Sequence, residues 1–388
     1  MPIQNFNIEQ FLANKWQQKP LLIKQAFPDF SNPVSADELA GLACEEEIES
    51  RIVTATDNQW QLHHGPFAES DFQQFGDGPW TLLVQAVDHW VPEVAELLNH
   101  FRFIPSWRID DVMVSYATRG GSVGPHFDNY DVFLLQGAGS RRWLIGPQYD
   151  SKTPLQDNNA LQLVDDFNTQ QELLLQPGDM LYIPPGYGHW GIANDNDCMT
   201  YSIGFRAPSH AELLSDFCDE KITDMTAEQR YSDAKLTPQT HSGEITEQAI
   251  DRVQTILNLM LTNRAEIVDW FGRYMTQEKY PEEQSLFENQ ALSHTDFLQC
   301  FEQQNILLRN PAARFAYSQQ NGTHQLYING ETYSAEGAAS AQLIEVLADH
   351  QPLIFSHMQP LLSDPQSLNL LVDLFNQGIV YFDDEHCD

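Results

Sequence analysis

Two short segments of the chain carry the residue types that could hold a redox-active metal. In GPHFDNYDVF (124–133), His126 and Asp128 stand two positions apart. On extended backbone successive side chains alternate faces, so these two point the same way and can offer a nitrogen and a carboxylate oxygen to one ion. The second segment is LLLQPGDMLYIPPGYGHWG (173–191). Pro177-Gly178-Asp179 makes a tight turn and an apolar strand follows through Leu181, Tyr182 and Ile183. Pro184-Pro185-Gly186 then leads by a short loop into His189. Two imidazoles and one carboxylate on one face leave positions open for substrate and oxygen, as in non-haem iron(II) oxygenases. A structural zinc site would need four closed ligands, usually with cysteine among them. None of the five cysteines is placed to help. An HxD pair by itself arises often by chance; the second segment, arriving after several intervening strands, is what makes the set His126, Asp128 and His189.

Arg141 opens the run RRWLIGP, whose alternation puts Arg141 and Trp143 on one face and Arg142 on the other. A cosubstrate with a distal carboxylate needs a fixed cation inside a barrel, and the arginine fork suits it. The competing reading makes both arginines surface charges on an edge strand. Ser115 is a candidate for a hydroxyl contact to the same cosubstrate. Asp110-Asp111 could line a mouth that receives a basic side chain or simply turn the chain, and a turn is the expectation. His63-His64 must point apart on a strand, while His89, His100 and His210 read as ordinary polar residues without partners. Trp190 reads as barrel wall.

These residues need a rigid frame, and the frame is legible as pattern. From residue 1 to about 207, an opening helical segment precedes short β-type runs between Gly/Pro turns. The runs include VMVSYA (112–117), DVFLLQ (131–136), RRWLIGP (141–147), ELLLQ (172–176), DMLYIPP (179–185) and MTYSIGFRA (199–207). Many strands of about five residues predict an antiparallel barrel or sandwich. Residues 208–275 turn helical, with AELLSDFCDEK and ITEQAIDRVQTILNLMLTNRAEIVDWFGRYM carrying apolar residues at three- and four-residue spacing. Ile245, Ala249, Val253, Ile256 and Met260 trace one face; it would bury itself on the chain's own barrel or in a dimer. Residues 276–388 read as α+β, with RFAYSQQNGTHQLYING a hairpin turning at Asn321-Gly322. The helices SAQLIEVLADH and DPQSLNLLVDLFNQG follow, then a closing strand IVYFDDE. That order suits a winged-helix-like module.

With 55 acidic and 20 basic residues the chain carries a net charge of −35. Such a surface repels nucleic acid, which needs clustered Lys and Arg, and steers basic proteins inward. The acidity could equally serve solubility or adaptation to a salty habitat. No run reaches the roughly 20 apolar residues of a membrane span, and the N-terminus has neither basic start nor apolar core. The cysteines are odd in number and scattered without a CxxC pair, which fits a reducing cytoplasm.

The PGD…Y.P….H pattern resembles the signature of cupin-type barrels. FLANKWQQKPLLIKQAFPDF and WRIDDVMVSYATRGGSVGPHFDNYDVFLLQGAGSRRW further resemble the JmjC-type ribosomal oxygenases of bacteria. The resemblance extends over essentially the whole chain. It implies an α+β architecture: a double-stranded β-helix (cupin/JmjC) barrel over 1–207, a helical dimerisation region over 208–275, and a C-terminal winged-helix-like domain over 276–388. It implies Fe(II) bound by His126, Asp128 and His189, 2-oxoglutarate paired with Arg141, O2 as co-reactant, and a cytoplasmic homodimer. The implied substrate is an arginine of the basic ribosomal protein L-sixteen, hydroxylated at its β-carbon. Histidyl hydroxylation and N-methyl demethylation remain open within the superfamily, and demethylation would release formaldehyde. A non-catalytic acidic binding module is the reading from another class. A cupin isomerase would call for HxH and Glu in place of HxD.

Overall fold

The computed structural model describes residues 3–56, 59–76, 78–156, 161–234, 236–280, 290–320 and 322–382. Eleven strands build the N-terminal body: β1 (Leu21–Ile23), β2 (Ser50–Thr56), β3 (Gln59–His64), β4 (Trp80–Val84), β5 (Ile109–Ala117), β6 (Val132–Ala138), β7 (Arg141–Gln148), β8 (Gln171–Leu175), β9 (Met180–Ile183), β10 (Tyr187–Ala193) and β11 (Cys198–Phe205). An eight-stranded sheet in the order β1-β9-β6-β11-β5-β4-β2-β3 faces a three-stranded sheet, β10-β7-β8. This is the double-stranded β-helix. The six strands predicted from apolar runs are all present, and β1 to β4 and β10 add to them. The KPLLI run forms β1, which pairs antiparallel with β9.

The central strands are buried on both faces, which is why they read as continuous apolar runs rather than clean alternation. On β6, Phe133 and Leu135 point outward into a core shared with the N-terminal helices α1 (Ile8–Asn14) and α2 (Ala36–Leu42). Val132 and Leu134 point inward and pack with Trp143, Ile145, Leu175, Leu181 and Ile183 between the sheets. Short helices α3 (Glu69–Phe75) and α4 (Pro92–Ala95) complete this body. The Pro-Gly-Asp turn depends on its glycine: Gly178 sits at φ +83, and a Cβ there would lie 2.2 Å from the Phe27 carbonyl oxygen.

Three helices follow: α5 (His210–Thr223), α6 (Glu247–Leu261) and α7 (Arg264–Thr276). The long predicted helical segment therefore splits in two. The cause is Asn263, whose side chain caps α7 by accepting from the N–H groups of Ala265 and Glu266. Helix α7 is anchored: Trp270 Nε1 donates to Asp216 at 2.7 Å, and Gly272 leaves room for the Tyr327 ring. Helix α6 is not. It buries no residue, and Ile250, Val253, Ile256 and Leu257 stay exposed. The option of its face packing on the chain's own barrel is thereby removed.

The C-terminal module comprises α8 (His294–Gln304), β12 (Ile306–Arg309), β13 (Phe315–Gln320), β14 (Thr323–Ile328), β15 (Glu331–Ser334), α9 (Ala338–Ala348), β16 (Leu353–Ile354), α10 (Phe355–Leu362), α11 (Pro365–Asn376) and β17 (Val380–Tyr381). It has its own core around Phe297, Phe301, Leu343, Leu347, Leu371 and Phe375. The expected hairpin is β13–β14, with Gly322 at φ +83, while Asn321 lies outside the described residues. The closing strand is shorter than its apolar run, and residues 383–388 also lie outside. Helix α10 escaped the sequence reading because Pro360 interrupts its pattern.

Candidate active site

His126 and His189 are joined through their backbones before their side chains meet. The His126 N–H donates to the His189 carbonyl at 3.1 Å and the His189 N–H returns the bond at 2.8 Å. His126 and Asp128 thus lie on extended backbone held by an isolated bridge, not on a regular strand. His189 sits on β10, not in a loop, just past a bulge in the pairing with β7. The Asp128 carbonyl accepts from the Gly186 N–H at 2.7 Å, fixing the third residue to the approach of β10. The two imidazole centroids end 4.3 Å apart.

Each imidazole Nδ1 lies 3.0 Å from a backbone carbonyl, His126 from that of Gly124 and His189 from that of Tyr187. A carbonyl can only accept, so Nδ1 carries the proton and Nε2 presents its lone pair. The Nε2 atoms of His126 and His189 lie 4.0 and 3.5 Å from Asp128 Oδ2. All three ligand atoms fall within 4.8 Å of one another, the one such set among the described residues. Burial, and next the adjacent His126, hold His189 down to about 4 despite partial offset from Asp128. It is therefore neutral at physiological pH, the form that binds metal. The donor set fits a divalent first-row ion with coordination positions left open.

The triad opens on a cavity of about 920 Å³ that Arg141, Trp143, Ser115, Thr200, Gln85 and Asp111 also line. Arg141 and Trp143 are buried at 3% and 5% exposure, so the edge-strand alternative fails for Arg141. Arg142 does face outward, toward Glu172. Arg141 Nε donates to Cys198 Sγ at 3.4 Å, but its Nη2 is buried without a partner. An unpaired buried cationic nitrogen is costly until an anion completes it. The residues present thus fit a metal-chelating oxo acid with a distal carboxylate. Ser115 lies on β5, in the facing sheet, and its Oγ donates to the Thr200 carbonyl at 3.4 Å. Both it and Arg141 reach the one cavity.

Away from the triad the cavity carries the carboxylates Asp110 and Asp111 among the cations Lys279, Arg206 and Arg51, and here the expectation of a simple turn is overturned. Asp111 is 3% exposed and accepts from Gln85 Nε2 at 3.2 Å and from Lys279 Nζ at 2.9 Å. Asp110 is held by Arg314 at 2.9 Å and Lys279 at 3.1 Å. Burial pushes Asp110 up, but Lys279 and Arg314 outweigh it and keep the carboxyl below its ordinary range. The signal available in the sequence was a carboxylate inside an otherwise apolar strand pattern. Lys279 and Gln85 carried no such signal. His89 and His100 also differ from expectation: His89 is buried beside Asp88, and the His100 ring meets Phe27 edge-on. Trp190 does serve as wall, tied to Ser122 at 2.9 Å.

Residues 96–213 match the model of the JmjC domain, and residues 259–381 match that of a ROXA-like winged helix. The chain is 36% identical to the ribosomal protein uL16 3-hydroxylase of Escherichia coli over 97% of its length and 98% of the relative's. It is 30% identical to a probable ribosomal oxygenase of Haemophilus influenzae over 94% and 92% of the two chains. The crystal structure of E. coli YcfD superposes with a TM-score of 0.88 at 35% identity, covering 99% and 100%. A structure of YcfD in complex with cobalt and 2-oxoglutarate gives 0.85 at 34% identity, covering 98% and 99%. The chain belongs to the family of JmjC-domain ribosomal oxygenases.

Proposed function

We propose that this protein is an iron(II)- and 2-oxoglutarate-dependent oxygenase that hydroxylates an arginine side chain of a large-subunit ribosomal protein at its β-carbon. His126, Asp128 and His189 would hold the metal, and Arg141 the distal carboxylate of 2-oxoglutarate, with Ser115 beside it. Bound there, the iron and 2-oxoglutarate would supply oxygen activation, one oxygen atom going to the substrate and the other to the succinate formed with CO2. The chain's own residues do the positioning. The Nδ1 bonds keep two lone pairs aimed at one point, and Arg141 anchors the cosubstrate from β7, the strand paired with the β10 strand that carries His189. Asp111 receives the cationic end of the substrate.

The observation that carries the reading is that one cavity holds the triad, the orphaned Arg141 nitrogen and a buried carboxylate. A guanidinium can grip that carboxylate with two N–H groups, where a neutral imidazole offers it one, which favours arginine over histidine as target. The decisive experiment is intact-mass spectrometry of ribosomal proteins incubated with the enzyme, Fe(II), ascorbate and 2-oxoglutarate. The expected outcome is a gain of about one oxygen on a single protein, dependent on 2-oxoglutarate, without formaldehyde. No gain on any ribosomal protein, with metal and cosubstrate bound, would sink the substrate assignment.

We further propose the division at about 207 and 275 into barrel, helical region and winged helix, with homodimerisation through α6. Val253 and Leu257 are 44% and 54% exposed there, and a contiguous apolar helix face seeks a partner. The winged helix is proposed to contact protein rather than nucleic acid. Its sequence holds only Lys279, Arg309 and Arg314 as cations. Arg309 is spent on the carbonyls of Val346, Leu347 and Gln351, and the other two on Asp110 and Asp111. No helix among the described residues is long and apolar enough to cross a membrane; the cytoplasmic setting is proposed on the scattered, odd-numbered cysteines.

A further inference from the structure

The acid end of the cavity already contains a cation. Lys279 follows α7 and reaches both Asp110 and Asp111, at 3.1 and 2.9 Å, with its side chain still 30% exposed. It is held there independently of those acids. The next residue, Tyr280, donates its hydroxyl to Glu49 at 2.8 Å and meets the ring of His89. Beside Asp111 stands a second, unfilled feature. Gln85 spends its Nε2 on Asp111, while its Oε1 is buried with no hydrogen-bond partner. Gln85 follows β4, in line with Thr81 and Leu83, and all three line the cavity.

Resting on the arginine-hydroxylase reading, we propose that Lys279 is a built-in competitor for the substrate's cation, setting the affinity of the site, while Gln85 selects arginine over lysine. A lysine entering the cavity would only exchange one ammonium for another at Asp111. Because Lys279 is tethered, it competes at the high local concentration of an intramolecular group. An incoming guanidinium brings more. Its planar fork can grip Asp111 with two nitrogens and still direct an N–H to the orphaned Gln85 Oε1. Lys279 supplies nothing to that oxygen, so the exchange gains a hydrogen bond only for arginine. Displaced, Lys279 has solvent on its open side and Asp110 within reach.

The test uses the full-length enzyme with Mn(II) and 2-oxoglutarate bound. A peptide spanning the modified arginine and the same peptide with lysine there are compared by fluorescence anisotropy, with KM and kcat measured for the arginine peptide. In the wild type the arginine peptide should bind roughly tenfold more tightly or better. Lys279→Met should tighten both peptides by about the same factor, leaving the discrimination as it was and changing KM rather than kcat. Lys279→Arg should act oppositely, because the tethered guanidinium fills Asp111 and Gln85 itself, weakening both peptides and raising KM for the arginine one. Gln85→Met should weaken the arginine peptide about tenfold and leave the lysine peptide unchanged. Normal hydroxylation with KM unmoved, or moved the same way, in both Lys279 variants would overturn the proposal alone. A wild type that binds 2-oxoglutarate and Mn(II) but neither peptide would overturn the substrate reading and this proposal with it.

Discussion

The two ends of the cavity are built on different principles. At the metal end every ligand is fixed by main-chain bonds: the reciprocal pair between His126 and His189, the Asp128 carbonyl on Gly186, and two carbonyls that set the imidazole tautomers. At the acid end the partners of Asp111 are long side chains from distant segments, Gln85 after β4 and Lys279 after α7. The difference follows from what each end must do. A metal centre loses activity when its ligands shift by a fraction of an ångström, so their directions are set by backbone that cannot drift. A recognition site must open for a side chain and close around it, which exchangeable side-chain contacts allow.

Four measurements would break or sharpen this contrast. His126→Ala or Asp128→Ala should abolish turnover, a loss of roughly a thousandfold or more, because the ion loses its seat. Far-ultraviolet circular dichroism should stay that of the wild type, and appreciable residual activity would refute the ligand assignment. Arg141→Met should raise KM for 2-oxoglutarate about a hundredfold with peptide affinity little changed, since a charge-assisted contact is lost. If peptide affinity falls in step with cosubstrate affinity, the two ends are not separate.

The third measurement concerns His189 in the metal-free protein. Its folded-state value of about 4 lies below the ordinary imidazole value of 6.5. Between those values the unfolded chain binds a proton that the folded chain does not, so stability is complete above 6.5 and falls as pH drops toward 4. From pH 7 to 5 the loss should be about 2 kcal/mol, read as the wild-type urea midpoint falling relative to that of His189→Gln. Parallel curves for the two proteins would exclude a buried neutral His189. The smallest effect belongs to the acid end. Asp111→Asn should raise KM for the arginine peptide about tenfold, leaving KM for 2-oxoglutarate as it was.

Much of the site was legible because its chemistry is written in local pattern. HxD on extended chain, Pro-Gly-Asp before an apolar strand, and the alternation of Arg141, Arg142 and Trp143 each have a direct physical consequence, and the structure gathers those residues around one cavity. The strand carrying His189 was less legible, because Tyr187, Gly188 and Gly191 break the apolar run; Gly188 and Gly191 are required by the rings of Tyr149 and Trp143. The break at Asn263 was present in the sequence as a capping residue, yet the apolar period continued through it and masked it.

Residue types and short-range spacing by themselves determined the three candidate ligands, the candidate arginine, a many-stranded barrel or sandwich and the acidic character that disfavours nucleic acid. Periodicity set the helical faces as well, since it depends only on the turn angle of the chain. Tertiary structure alone decided that α6 stays uncovered, that Asp111 is buried in the cavity rather than in a turn, and that Lys279 meets it from 168 positions away. Contacts of that kind depend on which surfaces the closed barrel brings together, and no local pattern encodes the path by which a distant side chain arrives.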